Sequence, residues 1–318
     1  MKWFLVISLV LNLALGFLLL KGGYSSNQQR IQEKDAEEYP YLSKRIFVEN
    51  PNDVIINFIP LRNSLNSYID SLDEFVALYF EYLPSGTSIG INEKEELRLS
   101  SLGKVPIAMA AYKLIAEGKI RPEQELMIEQ EHIDKQFGDL WKKGVGAKIT
   151  IEEAIRLSLT DSDNTANNLL LANLPGREVD KVFESFDIPK NKNPEEDFPV
   201  ISVKNFSSIL RSLYLSSYLP EKYSNKVLEI LTQTRFTDQI QGGVPKDILV
   251  AHKVGVFELK NSIKSVFRDC GIVYVPKGPY ILCVMIQSDN TTASKIITEI
   301  SKIIYMYVSQ IKSEFYIP

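Results

Sequence analysis

Cysteine, histidine and tryptophan are all scarce in this 318-residue chain, with two of each. Cys270 and Cys283 are too few for a disulfide-stapled scaffold or a cysteine-rich zinc site, and His132 and His252 do not suffice for a histidine metal centre. No metal is expected. Basic charge is not in excess either: 36 Lys and Arg stand against 40 Asp and Glu, a formal net charge of -4. That excludes the electrostatic footprint of a nucleic-acid partner. Glycine (16) and proline (15) are too sparse for a fibrous or low-complexity chain. What is abundant is apolar residue, 45% of the total, at a length that can bury a substantial core.

One long hydrophobic run is present. Trp3 to Leu20 (WFLVISLVLNLALGFLLL) carries no charge and is bracketed by Lys2 and Lys21, just long enough to cross a bilayer as a tilted helix. A cleaved leader has an apolar region of about 7–15 residues followed by small residues at the cut. Here the run is longer and Lys-Gly-Gly-Tyr follows. The expectation is therefore an uncleaved, single-pass signal anchor over residues 1–21, a polar stalk over 22–51, and a globular domain over 52–318 outside the cytoplasm. If the segment is cut, the domain is secreted. A membrane contact is expected only through this helix, and the domain is expected to be a monomer.

The globular part reads as helix, strand and turn in a definite order. Leu61–Leu72 has helical spacing, and Phe75–Tyr82 (FVALYFEY) is aromatic and β-branched like a strand. Pro84-Ser85-Gly86 turns the chain into a returning strand over Thr87–Ile91. Ser101–Ala116 is a helix apolar enough to be buried on most sides. The middle is helical, with helices expected over Ile151–Leu159, Asn164–Leu171, Val203–Ser217 and Lys222–Gln233. Three strands follow, over Ile248–Val256, Ser265–Val275 and Tyr280–Gln287, and an amphipathic helix over Ala293–Gln310 closes the chain. Strands at both ends around a helical middle imply an α/β (α+β) fold, with one sheet built from the two termini and an inserted helical subdomain. Cys270 and Cys283 fall on the two arms of the last hairpin. Export would allow them to pair, but free buried thiols are the stronger expectation.

Three short motifs carry chemistry. Ser101-Leu102-Gly103-Lys104 opens the buried helix, where residues three apart share a face, so the lysine amine can reach the serine hydroxyl. A helix N-terminus adds positive potential and free N–H groups, which favour an alkoxide and an oxyanion. Lysine acts as a base there only if burial or a nearby cation lowers its pKa. Ser162-Asp163-Asn164 heads another helix, and Lys253-Val254-Gly255 lies on the first C-terminal strand, where glycine lets a substrate backbone approach. Each motif alone is weak. A second set occurs at Ser309–Lys312 and Ser288–Asn290, but in reversed order and without a following K-x-G. Order and setting distinguish the first set.

On those residues the chain from about Leu61 to Tyr307 resembles the class A β-lactamases and penicillin-binding enzymes, whose signature is S-x-x-K, S-D-N and K-T-G. Leu99-Ser100-Ser101-Leu102-Gly103-Lys104-Val105-Pro106 is similar to the family's nucleophile helix, Thr160 to Leu170 to its S-D-N helix, and Ala251 to Gly255 to its K-[ST]-G strand. The resemblance implies that Ser101 is acylated and that Lys104 helps take its proton. It also implies that Ser162 passes a proton to the departing nitrogen, that Lys253 holds that hydroxyl and attracts a substrate carboxylate, and that Asn164 binds the substrate amide. The oxyanion hole would be the N–H groups of Ser101 and Val256, just after Gly255, and the resemblance implies no metal and no organic cofactor. The substrate is implied to be a β-lactam, or a peptidoglycan stem peptide as in D,D-peptidases; a non-catalytic wall-binding module is the alternative from another class.

Two departures bear on that reading. The third motif has Val254 where the family has a hydroxyl. Between Asp187 and Asn205 there is no E-x-x-x-N, the pattern whose glutamate activates the deacylating water. Glu195 and Glu196, with Asp197, are the only acids nearby, and a solvated loop cluster is the stronger expectation for them. Phe137 or Trp141 could wall the cleft, though a core place is favoured. His132 is expected at the surface, and His252 on the strand face opposite Lys253, in a packing role.

Overall fold

A computed structural model describes residues 39–41, 57–188, 200–258, 264–276 and 278–311. Its centre is a five-stranded antiparallel sheet. Strand β1 (Phe75–Tyr82) is buried from Val76 to Tyr82, because both of its faces are covered. It pairs with β2 (Thr87–Ile91) across the turn at residues 83–86. After the helical middle the chain returns as β7 (Val250–Glu258), β8 (Ser265–Val273) and β9 (Tyr280–Ser288), and the sheet order is β2-β1-β9-β8-β7. The two chain ends thus meet at β1 and β9, and β7 is left as an edge. Residues 1–38 and 42–56, which hold the expected anchor and all but three residues of the expected stalk, lie outside the described residues; no described helix is long and apolar enough to cross a membrane.

The period-2 alternation of the strands separates two cores. On one face Leu78, Phe80, Leu282, Val284 and Ile286 pack under α1 (Ile59–Asp70) and the closing helix Asn290–Ser309. Leu61, Leu65 and Ile69 recur every fourth residue along α1, which gives it one apolar stripe. On the other face Ala77, Tyr79, Cys283 and Met285 meet the helical middle.

That middle holds two short strand pairs, β3 (Leu97–Arg98) with β6 (Val200–Ile201) and β4 (Glu125–Met127) with β5 (Lys148–Thr150). Its helices are α2 (Lys104–Ala116), α3 (Ile151–Thr160), α4 (Asn164–Asn173), α5 (Glu178–Glu184), α6 (Val203–Tyr214) and α7 (Glu221–Leu231), so that the closing helix is α8. The short strands and α5 are too brief for periodicity to reveal. Several helix starts are fixed by side-chain caps: Thr150 Oγ1 accepts from Glu153 N–H, and Ser202 Oγ from Asn205 N–H. Helix α2 is buried from Lys104 to Tyr112, in keeping with its unbroken apolar sequence.

Two expectations are corrected here. Cys270 and Cys283 stand directly opposite each other on β8 and β9 and form a disulfide, because the register of the hairpin brings them together. His132 is buried rather than at the surface, since its Nδ1 accepts the Glu129 N–H and locks a short turn at Gln130–His132. His252 is where the strand alternation puts it, buried on the face opposite Lys253 and paired through Nδ1 with Asp269 Oδ1 at 2.8 Å.

Candidate active site

Ser101 lies in a 3₁₀ turn, Ser100–Gly103, and α2 begins only at Lys104. The expected helix start at Ser101 is thus one tight turn early. Ser100, the residue before it, has φ 44°, the left-handed region that costs a non-glycine residue about 1–2 kcal/mol. The turn abuts β7: a methyl group on Gly255 would lie 2.6 Å from Ser100 Oγ and 3.4 Å from Ser101 N. Only glycine allows this approach, which sets the Ser101 amide against the strand that carries Lys253 and Val256.

Lys104 is 3% exposed and joins the first motif to the second. Its Nζ donates to Ser162 O at 2.5 Å, to Asn164 Oδ1 at 2.7 Å and to Ser162 Oγ at 3.3 Å. Burial lowers its pKa to about 8, although Asp163 and Asp134 pull it upward. An ammonium spends its three protons on those three acceptors; after losing one it has a lone pair for another hydroxyl. Ser101, half-buried, lies three residues earlier in the 3₁₀ turn, and among the described residues no hydrogen bond joins its hydroxyl to Lys104.

The second motif is shaped by its middle residue. Asp163 caps α4 by accepting from Ala166 N–H with Oδ1, while Oδ2 accepts from Leu140 N–H, both at 2.8 Å. Gly138, at φ 85°, passes so close that a side chain there would overlap the Asp163 carboxylate. The loop between β4 and β5 is thereby tied to the turn in which Ser162 takes φ 55°. The Asn164 N–H is held by Phe137 O at 3.0 Å, and its Oδ1 accepts from Lys104. Phe137 itself is exposed, and the Trp141 ring carries Lys135 Nζ at 5.3 Å, so neither aromatic is in the core that was expected for them.

Lys253 is fully buried on β7. Burial first, and then repulsion from Lys104, hold its pKa well below the usual lysine range, against the pull of Asp269 and Asp161. Its Nζ donates to Val254 O at 3.2 Å and stands 5.7 Å from the Phe236 ring. The bond to the Ser162 hydroxyl therefore comes from Lys104, and among the described residues none comes from Lys253. Val254 is buried and adds no polar group to the site. Glu195, Glu196 and Asp197 lie outside the described residues.

Sequence reasoning missed three neighbours. Phe236, from the segment after α7, lies against Lys253; Ser100 precedes Ser101; and Arg268 is buried behind both on β8. No sequence signal marks Phe236 or Arg268, since each reaches the site from a separate element. For Ser100, adjacency to the motif was the one available cue.

A serine on a tight turn against a strand edge, with a buried amine of reduced basicity and two further polar side chains on that amine, is the constellation of a serine acyl-transfer hydrolase. The chain belongs to the β-lactamase enzyme family, whose model matches residues 60–308. It is 25% identical over 245 residues to β-lactamase VEB-1 of Pseudomonas aeruginosa, which covers 68% of this chain and 82% of that protein. In fold it is similar to PBP-A, with TM-score 0.70 and 23% identity over 78% of this chain and 96% of that one. It is also similar to TLA-3 extended-spectrum β-lactamase, with TM-score 0.73 and 19% identity over 80% and 100%. At those identities the structural likeness is one of fold. The protein is a serine hydrolase of the β-lactamase class.

Proposed function

We propose that the protein is a membrane-anchored, extracytoplasmic enzyme in which Ser101 is acylated by a β-lactam. The reading is carried by one observation: Lys104, buried, with its pKa brought to about 8 and three residues after Ser101, is bonded to both Ser162 and Asn164. Ser101 Oγ attacks the lactam carbonyl and its proton passes to the neutral Lys104 amine. The carbonyl oxygen becomes an anion against the Ser101 and Val256 N–H groups. Ser162 gives its proton to the lactam nitrogen as the C–N bond breaks, and is resupplied by Lys104 across the 3.3 Å contact. Lys253 adds positive field toward the substrate carboxylate, and Asn164 Nδ2 binds the amide side chain. The charge-free run from Trp3 to Leu20 supports the anchor, and both wall precursors and antibiotics occur on that side of the membrane.

A second reading is a D,D-peptidase acting on peptidoglycan stem peptides, for which a β-lactam is an inactivator. The missing E-x-x-x-N between Asp187 and Asn205 favours it, since acylation then lacks its paired hydrolytic step. A mutant of PBP-A is known as an acyl-enzyme with penicillin G. Intact mass of the full chain in detergent, followed after addition of penicillin G beside Ser101→Ala, separates the readings. An adduct that forms and decays as antibiotic is consumed marks a β-lactamase, with Glu195 and Glu196 the first acids to replace. A persistent adduct marks the peptidase, and no adduct leaves a binding module.

A further inference from the structure

Arg268 is among the largest fully buried side chains of the protein, at 0% exposure, and among the described residues no carboxylate is bonded to it. Its Nη1 donates to Ser100 Oγ at 3.3 Å and to Val266 O at 3.4 Å, while Nε and Nη2 have no partner among the described residues. A buried cation with unsatisfied donors is costly, and an apolar residue of the same volume would be expected to stabilise the fold. Its position is specific: Arg268 pairs with Gly255 across β7 and β8, on the same sheet face as Lys253. Gly255 in turn leaves room for Ser100 Oγ, which a Cβ there would approach to 2.6 Å. Ser100 is thus held between a glycine on one strand and an arginine on the next, in a left-handed conformation that serine does not favour. Two unfavourable features, the strained serine and the unpaired arginine, meet at one hydrogen bond beside Ser101.

We propose that Arg268 is a positioning residue for acyl transfer: by pinning Ser100 Oγ against Gly255 it fixes the left-handed turn that sets the Ser101 hydroxyl and N–H toward the reacting carbonyl. The arginine never touches substrate and acts only through Ser100. This rests on Ser101 being the acylated residue, so the test uses two probes. Phenylboronic acid, which adds reversibly to an activated serine as a tetrahedral adduct, reads the geometry without requiring a β-lactam. Penicillin G labelling, followed by mass, reads acylation.

Arg268→Met is expected to weaken boronate binding and slow penicillin labelling at least tenfold, with thermal stability unchanged or raised. Arg268→Lys is expected to recover most of the loss, because it restores one donor. Ser100→Ala, which removes the acceptor and leaves the arginine in place, is expected to match Arg268→Met, and it serves on its own if the methionine variant does not fold. In a Ser100→Ala background Arg268→Met should then add little. A folded Arg268→Met or Ser100→Ala protein that binds boronate as tightly as the unaltered chain overturns the proposal, as do losses that simply multiply in the double variant. Boronate binding without any penicillin adduct in the unaltered chain would sink the β-lactam reading and leave this inference to be judged on the boronate alone. Failure of the unaltered chain to bind either probe overturns both.

Discussion

Gly255 and Ser100 face each other across the cleft edge so closely that a single methyl group on residue 255 would lie 2.6 Å from Ser100 Oγ, with the Ser101 and Leu102 amides 3.4 and 3.5 Å away. The amides are at ordinary contact distance, so the overlap is with the hydroxyl alone, which can rotate aside only by giving up Arg268. Gly255→Ala is therefore expected to push the turn off β7, lowering the penicillin labelling rate tenfold or more and stability by about 1–3 kcal/mol. Labelling rate and melting temperature measured on the same sample check this; an unchanged rate would mean that the turn yields without moving Ser101.

The reduced basicity of Lys104 gives a pH signature. With a pKa brought down to about 8 by burial, the neutral amine is a minor form at pH 7 and the main form at pH 9. If the neutral amine is the base, the labelling rate at low penicillin concentration climbs about tenfold per pH unit below 8 and levels off above it. Lys104→Arg, which stays charged, should lose about a hundredfold or more at every pH. A flat profile across pH 6 to 9 would exclude Lys104 as the base.

At the position of Val254 the K-T-G signature that the chain resembles has a hydroxyl. Val254→Thr is expected to improve the apparent affinity for penicillin G about fivefold, the equivalent of about 1 kcal/mol for one net hydrogen bond. Its acylation rate at saturation should be unchanged. Titrating the labelling rate against penicillin concentration separates the two, and an unaltered affinity together with a lower melting temperature would mean that the hydroxyl is buried without a partner.

Cys270 and Cys283 are both fully buried and joined across β8 and β9 with 13 residues of separation. Denatured protein should alkylate at neither cysteine until it is reduced. The Cys270→Ala, Cys283→Ala double variant should lose about 2–3 kcal/mol, near what closing a loop of that length contributes. Two alkylated thiols in unreduced, denatured protein isolated from an oxidising compartment would contradict the pairing.

His252 next to Lys253 invites a catalytic role, but its imidazole faces the other core. There it is held by Asp269, whose Oδ2 also accepts the Ile240 N–H at 2.9 Å. His252→Ala strands a buried carboxylate and should cost about 3 kcal/mol or more of stability. Below its melting temperature the penicillin labelling rate should stay within about twofold of the unaltered chain. A large loss of labelling in folded protein would place His252 in the reaction after all.

Much of the fold is legible because its signals are local. The apolar run in Phe75–Tyr82, the turn at Pro84-Ser85-Gly86 and the helical stripe of α1 each lie within a dozen residues, so periodicity alone reveals them. Ser162-Asp163-Asn164 heads its helix as expected because the cap is made by Asp163 itself. Elements without a period, such as α5 and the two short strand pairs, are set by what they pack against. The cysteine pairing was missed because it depends on the β8–β9 register, and a slip of one residue would have turned one thiol to the opposite core. His132 was misplaced because its acidic neighbours suggest water, whereas a single bond from Glu129 N–H draws it inward.

By itself, then, the sequence determined the kinds of group available and the local geometry of each: a serine one turn before a lysine, a capped Ser-Asp-Asn turn, and a glycine on a strand. It did so because backbone preferences, caps and helix spacing act over a few residues. Only the tertiary structure decided that Lys104 bonds Ser162 and Asn164, that Lys253 bonds Val254 O instead of the Ser162 hydroxyl, and that Arg268 stands behind Ser100. Those relationships join elements far apart in the chain. The reduced basicity of Lys104 and Lys253 follows from removal of water by the whole core, a property that no short stretch of sequence carries.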